Sequence, residues 1–538
     1  MNVALCSLNV SYIHKNLALR WLMVSKPESI HASVFESMTE NYAQCLNDIV
    51  EYQPDVLGLS CYIFNIEATK EFILKIKERL PHLRIILGGP EVSYNPNPLF
   101  DYPIEGIIIG EGEFAFWDAV SHKKAIGYQT HKDENVEFIK TDLRLLENCE
   151  SPYFLDFDQK DMGKRYLYVE TSRGCPYGCA YCMASLDRNI RLFSESYMDQ
   201  FFNRLKDTDV KQVKFLDRTF NVEPKRALRL GYQCLSMPES MHFHVELVGD
   251  TLHDDLVHFF LNDALSRFRM EIGVQSFHDK TLKAVGRYCN LDKLSQVIQI
   301  FSDKKAHQHT DLIAGLPFES LELFKESFQK LIHLKPFEIQ VGILKLLHGT
   351  TLFQLKELYG YEAETLAPYQ IKKTKWMSFE DIKQVEDCAL ATEKCYNSQR
   401  LKVELDELFR DPSICAFDVM AKCGYAIRHL DHPYQVLDFY RCLEPVLCEY
   451  TSLSKYFIEK AYYRQAKLKP KLIYPADNID INYYRKCLHK ITEQANKALF
   501  ITDENTVTGI VYLNQRQVWY TLDQEGNLLH ETIISNSK

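Results

Sequence analysis

Across residues 1–125, short apolar runs alternate with segments whose apolar positions recur every three or four residues. The runs at 2–8, 32–35, 56–60, 85–87 and 106–109 have strand length, and 17–24, 42–52 and 66–79 have helical periodicity. This alternation predicts a parallel, doubly wound, Rossmann-like α/β sheet. Two of its strand ends run into glycine-rich turns, Gly88-Gly89-Pro90 and Gly110-Glu111-Gly112-Glu113. Ligands of open α/β sheets sit beyond the carboxyl ends of the strands, so these turns mark a binding edge.

A polar stretch at 126–165 reads as a linker. The alternation then resumes, with strands expected over 166–171, 212–217, 242–248, 267–275, 309–316 and 337–346. Six βα units over 166–350 suit a partial (β/α)6 version of the TIM-type barrel, with functional residues at the strand C-termini. From 351 to 538 helical segments such as 379–396 and 452–466 dominate, and β-like runs follow at 499–501, 509–513 and 518–522. This third block reads as mainly helical with a small β element.

A chain of 538 residues is too long for one ordinary core, which agrees with three blocks. Its 46% hydrophobic and 25% charged residues describe a soluble globular protein, and the net charge of −10 argues against a general nucleic-acid surface. No apolar run approaches the roughly 18 residues that span a bilayer. The start, Met1-Asn2-Val3-Ala4-Leu5, lacks a basic segment and reads as a buried strand, not a signal peptide. The 16 cysteines show no regular framework outside one loop, so a reducing, oxygen-poor cytoplasm is expected. Cys6, Cys45, Cys61 and Cys234 lie in apolar or amphipathic contexts, where a thiol behaves as a small hydrophobe.

The exceptional loop is Gly174-Cys175-Pro176-Tyr177-Gly178-Cys179-Ala180-Tyr181-Cys182, which follows the first expected strand of the second block. A [4Fe-4S] cluster ordinarily takes four thiolates, so three on one loop leave one iron open. An open metal position marks a reactive site rather than a structural one. A zinc knuckle would want a fourth Cys or His, and none lies between 173 and 193 beyond these three. An electron-transfer cluster stays open as an alternative.

The loop resembles the signature of the radical S-adenosylmethionine (SAM) enzymes. The resemblance implies that SAM chelates the open iron through its amino and carboxylate groups. It also implies cleavage of SAM to a 5'-deoxyadenosyl radical, with an electron from a low-potential donor such as flavodoxin or ferredoxin. Tyr181 matches the position packed near the adenine. Asp217 ends the second strand where the family contacts the SAM amino group, although the Gly-Gly-Glu form is absent and Asp217 could equally cap a turn. Glu246 falls at polar contacts to SAM, and an inward carboxylate is costly unless it is paired or binding something. His242 and His244 on the same strand read as rim or core residues.

The run Glu271-Ile272-Gly273-Val274-Gln275, followed by Val285-Gly286-Arg287, is similar to the oxygen-independent coproporphyrinogen oxidases. There the positions of Gln275 and Arg287 bind the ribose and carboxylate of SAM, and a guanidinium suits bidentate carboxylate recognition. Gly315, in Ala314-Gly315-Leu316-Pro317, matches a backbone segment near the adenine.

The first block resembles the cobalamin-binding domain fused to one class of radical SAM proteins. The matching positions are Ser60, Gly88, Gly89, Glu111 and Gly112; glycines let backbone approach a large flat ligand, and Ser60 could bond its nucleotide tail. The Asp-x-His-x-x-Gly motif that ligates cobalt elsewhere is missing from the loop 7–16, and His14 has the wrong spacing for that role. A degenerate domain used for packing is the alternative.

These resemblances imply a cytoplasmic enzyme with a [4Fe-4S] cluster, SAM and cobalamin that methylates carbon on an unidentified small-molecule or peptide substrate. Radical rearrangement or cyclisation is the nearest alternative. A methylthiotransferase with a second cluster on Cys6, Cys45 and Cys61, or a non-enzymatic iron–sulfur carrier or sensor, also remains. The cysteines at 388, 395, 415, 423, 442, 448 and 487 are spaced too irregularly to call a further cluster.

Overall fold

Strand β1 (Asn2–Asn9) is buried along nearly its whole length, because a parallel sheet with helices on both faces leaves its central strands no wet side. Beside it run β2 (His31–Met38), β3 (Val56–Ser60), β4 (Arg84–Gly88), β5 (Gly106–Ile108) and β6 (Tyr128–Gln129), in the order β2-β1-β3-β4-β5-β6. All pairings are parallel except that of β6 with β5. Three helices are α1 (Leu17–Ser25), α2 (Ala43–Tyr52) and α3 (Ile66–Arg79). Ile49 of α2 and Phe72, Ile73 and Ile76 of α3 build one core with Leu57 and Ile85. Leu19 of α1, Phe116 and Trp117 build another with Val3, Leu5 and Ile86. The order reverses between β1 and β3, so the ligand crevice of such a sheet lies at their carboxyl ends.

The structure is a computed structural model that describes residues 1–538 except 124, 467–470, 475–479, 504, 514–515 and 536–538. The stretch read as a linker, 126–165, is part of the packed structure. It supplies β6, a parallel bridge from Ile139 to Gly110, and the buried carboxylate of Asp158. Asp158 holds Arg20 Nη2 at 2.8 Å and Lys15 Nζ at 3.0 Å, and Glu36 takes the same Arg20 nitrogen at 2.8 Å. The polar composition that suggested a linker is in part a buried ion network.

The second sheet begins with β7 (Leu167–Val169). A short antiparallel pair, β8 (Ser172–Arg173) and β9 (Arg191–Leu192), then brackets the cysteine loop. It continues through β10 (Gln212–Phe215), β11 (His242–Leu247), β12 (Phe268–Gln275), β13 (Gln308–Ala314) and β14 (Glu338–Ile343), in the order β14-β13-β12-β11-β10-β7. Burial alternates along β11: Phe243, Val245 and Leu247 are buried, whereas His242, His244 and Glu246 are half-exposed. This is the open, partial-barrel arrangement that the alternation predicts.

Two compact units divide the chain: 1–310 with 315–319 and 343–378, and 311–314 with 320–342 and 379–538. The first includes a small antiparallel pair, β15 (Glu362–Ala363) and β16 (Ile371–Lys373). In the second, helices at Phe379–Ala391, Ala416–Arg428, Val436–Cys448 and Ser454–Gln465 precede a four-stranded antiparallel sheet. Its strands are β17 (Leu499–Thr502), β18 (Val507–Leu513), β19 (Arg516–Leu522) and β20 (Leu528–Ser535). The sequence reading lacked β20, whose Leu528, Leu529 and Ile533 are exposed and give no in–out alternation. Among the described residues no helix is long and apolar enough to cross a membrane.

Removing one partner of a buried ion network strands the rest. Asp158→Asn should therefore cost about 3–5 kcal/mol, read as an earlier denaturant midpoint for the first unit.

Candidate functional site

The cysteine loop is pinned at several points. Cys175 N donates to Asp187 O at 2.9 Å, Ala180 N to Val285 O at 2.8 Å and Cys182 N to Cys179 O at 3.0 Å. Gly286 has φ +68°, and a Cβ there would come 2.8 Å from Gly178 O, so only glycine lets the two loops meet this closely. Cys175 and Cys179 are buried, Cys182 is half-buried, and Cys175 Sγ lies 3.8 Å from Thr219 Oγ1. Among the described residues no three His, Cys, Asp or Glu side chains converge as one ion would require. A four-iron cube instead spreads its thiolates over separate irons.

Tyr181, Arg287 and Gln275 gather beside this loop. Burial, reinforced by neighbouring Cys179, pushes the Tyr181 phenol well above its ordinary pKa. Arg287 faces Tyr181 and Cys179 and donates through Nη2 to Gly273 O. Gln275 has φ +71°, a conformation that costs energy in a non-glycine residue and persists at functional sites. Gln275 Oε1 and Arg287 Nε are buried without a partner. Buried polar atoms are ordinarily satisfied, so this pair fits a polar ligand such as SAM.

Asp217 is already committed. Its carboxylate accepts from Thr171 N at 2.9 Å, Thr171 Oγ1 at 2.6 Å and Ser172 Oγ at 2.6 Å, which ties β10 to the end of β7. Glu246 pairs with Arg218 at 3.2 Å, although burial still holds its carboxyl above the usual range. Gly315 offers its carbonyl to Tyr361 Oη at 3.0 Å.

A cavity of about 460 Å³ lies at the carboxyl edge of the first sheet. Ser60, Gly88, Gly89, Glu111 and Gly112 line it on one side, and Gly174, Met183, Ala184 and Arg218 on the other. It thus joins the positions matched to cobalamin with the cysteine loop. Gly89 has φ +114°, and a Cβ there would meet Cys61 O at 2.5 Å. Ser60 Oγ accepts from Asn16 Nδ2 at 3.1 Å, and Asn16 also caps α1 through Leu19 N. Glycine edges and a free rim fit a large flat ligand. His14 is engaged elsewhere, with Nδ1 2.5 Å from Tyr168 Oη. Cys6, Cys45 and Cys61 are core thiols, with Cys6 and Cys45 sulfurs 3.9 Å apart.

Sequence reasoning missed what holds this cavity together. Arg173, one residue before the cysteine loop begins, reaches Glu111 at 2.9 Å and both Glu113 and Glu170 at 2.6 Å. Burial lowers its pKa, but the three carboxylates outweigh that and hold it above the usual range. Arg191 adds bonds to Glu111 and Asp187. A strap at 343–378 braces the same region. Leu352 N donates to Ala180 O at 2.9 Å, Tyr369 Oη to Glu91 Oε1 at 2.5 Å, and Tyr361 meets Gly315.

Residues 169–331 match the Radical SAM superfamily, and residues 5–120 match the B12 binding domain. The chain belongs to the radical SAM superfamily and carries an N-terminal B12-binding domain. Residues 357–423 of this radical SAM chain also match a protein family of unknown function, DUF4080. Among curated relatives, the 2-(S-pantetheinyl)-carbapenam-3-carboxylate methyltransferase of Streptantibioticus cattleyicolor is 26% identical over 58% of this chain and 50% of its own length. The cobalamin-dependent radical SAM methyltransferase TokK of Streptomyces tokunonensis is 25% identical over the same shares. The chain spans about half the length of these relatives. The structure of the cobalamin-dependent SAM radical enzyme OxsB, with aqua-cobalamin bound, superposes with a TM-score of 0.62 at 15% identity. That likeness covers 86% of this chain and 81% of OxsB, and it shows the shared fold.

Two substitutions test these contacts. Gln275→Leu should weaken SAM binding about tenfold, as loss of one buried hydrogen-bonding group does, read by equilibrium binding to reconstituted protein. Arg173→Met leaves Glu113 and Glu170 without their cation, while Glu111 keeps Arg191, at a cost of about 3–5 kcal/mol. It should lower the iron and corrinoid content of purified protein together.

Proposed function

We propose that the chain is a cobalamin-dependent radical SAM enzyme that transfers a methyl group to carbon of a small-molecule or peptide substrate. The observation that carries this reading is the cavity shared by the glycine turns of the first sheet and the loop of Cys175. The two curated methyltransferases support it at about 25% identity. When bound, the cluster supplies the electron that cleaves SAM to a 5'-deoxyadenosyl radical, and cobalamin supplies a methyl carrier.

Cys175, Cys179 and Cys182 would hold the cluster and leave one iron for SAM. Gln275 and Arg287 orient SAM through their unpartnered polar atoms, and Tyr181 packs beside them. Ser60, Gly88, Gly89 and Gly112 give the corrinoid a close backbone edge. Glu111 acts at one remove, because it orders the turn by pairing with Arg173 and Arg191. Buried side chains around the cysteine loop limit the access of water to the reacting atoms. The setting is a reducing, oxygen-poor cytoplasm, with flavodoxin or ferredoxin as electron donor.

The test is anaerobic reconstitution with iron, sulfide, SAM, cobalamin and dithionite. Wild type should form 5'-deoxyadenosine, and Cys175→Ala, Cys179→Ala and Cys182→Ala should each abolish it. S-adenosylhomocysteine should appear only when cobalamin is present. Steady 5'-deoxyadenosine without S-adenosylhomocysteine would transfer the assignment to rearrangement or cyclisation, and neither product would favour an electron carrier.

A further inference from the structure

A second cavity, of about 550 Å³, opens beside the first. Ala18, Tyr62, Glu113, Glu170, Arg173 and Leu216 line both, so a ligand in one faces a ligand in the other. Glu170 and Leu216 directly follow β7 and β10, and Arg173 directly precedes Gly174. The second cavity therefore reaches the edge from which the cysteine loop departs. The turns of Gly88, Gly89 and Gly112, matched to cobalamin, line the first cavity and not the second. Its volume is in the usual range for a small-molecule site.

Every full charge on its wall is already neutralised. Lys15 Nζ lies 3.0 Å from Asp158 and 2.7 Å from Asp161, and Arg173 holds Glu113 and Glu170. Glu170 also accepts from Trp21 Nε1 at 2.7 Å. The wall amides are spent as well. Asn9 Nδ2 donates to His14 O at 3.0 Å, and Asn16 Nδ2 donates to Ser7 and Ser60. A charged ligand would meet no free counter-charge here.

What stays open is aromatic surface and one polar pair. The rings of Tyr62 and Phe64 stack 7° from parallel with centres 5.1 Å apart, and Phe64 is exposed. Val10, also on the wall, is exposed too. Apolar side chains left in water around a cavity mark a binding surface, and a stacked pair can offer its outer face to a third ring. His14 Nδ1 lies 2.5 Å from Tyr168 Oη. Among the described residues this is the only hydrogen bond of that imidazole or that hydroxyl. Burial, Lys214 and Arg165 hold His14 below its ordinary pKa, and burial, then Tyr166, pushes the Tyr168 phenol up to about 12. Both rings are therefore neutral, and their shared bond leaves one imidazole nitrogen and an oxygen lone pair for a ligand.

We propose that the second cavity is the substrate pocket, and that it takes an uncharged aromatic or heteroaromatic group. Tyr62 and Phe64 supply the stacking face, and Tyr168, held by His14, is a positioning residue that bonds a polar group on the ring. This rests on the enzymatic reading above, and it narrows the substrate class.

The test uses full-length protein reconstituted with cluster and cobalamin, so that the first cavity is filled. Equilibrium dialysis measures naphthol, naphthalene and naphthoate. Naphthol should bind tightest, naphthalene more weakly, and the anion naphthoate least. Tyr168→Phe should weaken naphthol about fivefold to tenfold and leave naphthalene unchanged, because only naphthol has a hydroxyl to lose its partner. A general disturbance of the fold would weaken both. Phe64→Ala should weaken both ligands about tenfold, with iron and corrinoid content unchanged, and the distant Tyr425→Ala should alter neither. Failure of wild type to bind naphthol, a preference for naphthoate, or a naphthol preference that survives Tyr168→Phe overturns the pocket. Loss of corrinoid from Phe64→Ala also overturns it, because the cavity then belongs to cobalamin. Abortive 5'-deoxyadenosine formation is measured in the same preparations. Its absence from wild type overturns the enzymatic reading, whereas its presence without naphthol binding overturns the pocket alone.

Discussion

A guanidinium deprived of water must be surrounded by carboxylates, and Arg173 meets that demand with three. Its side chain is 11% exposed, and Glu111, Glu113 and Glu170 all lie within 2.9 Å. Two of these acids come from the glycine-rich turn after β5 and the third follows β7, so one buried charge ties two sheets together. Because Arg173 immediately precedes Gly174, the position of the cysteine loop is set by the same charge. The cavity between turn and loop exists because this network spans it. Buried networks of this kind do little for net stability, yet they are expensive to disturb.

The remaining supports act on the same principle of restricted backbone. Asp217 spends both oxygens on Thr171 and Ser172, and this fixes the strand end from which the loop departs. Gly286 lets the loop bearing Arg287 reach Gly178, so the pair Gln275 and Arg287 meets the cysteines across a contact with no room for a side chain. Their unpartnered atoms are therefore held open by packing around them.

Much of the fold was legible because burial leaves a local trace. Strands β1, β3 and β4 are covered on both faces and appear as unbroken apolar runs, and β11 announces itself by alternation. The cysteine loop was legible from spacing alone. The positions matched to SAM and cobalamin were legible only through family resemblance, since Gln275 or Ser60 alone has no distinguishing pattern. Ion pairs left no such trace. Arg173 and Glu111 are 62 residues apart, and Arg20 and Asp158 are 138 apart, so no periodicity connects them. For the same reason 126–165 read as a polar linker, although its Asp158 and Asp161 are partners of buried bases.

The bond from Tyr369 to Glu91 joins residues 278 positions apart. A chain leaving the ribosome completes the first sheet early, and domains generally fold in that order. The turn at Gly88-Gly89-Pro90 nevertheless waits for its brace until residue 369 has emerged. A chain cut short before the strap would keep its cysteines and the Arg173 network, yet lose the bond from Leu352 N to Ala180 O and that from Tyr369 to Glu91.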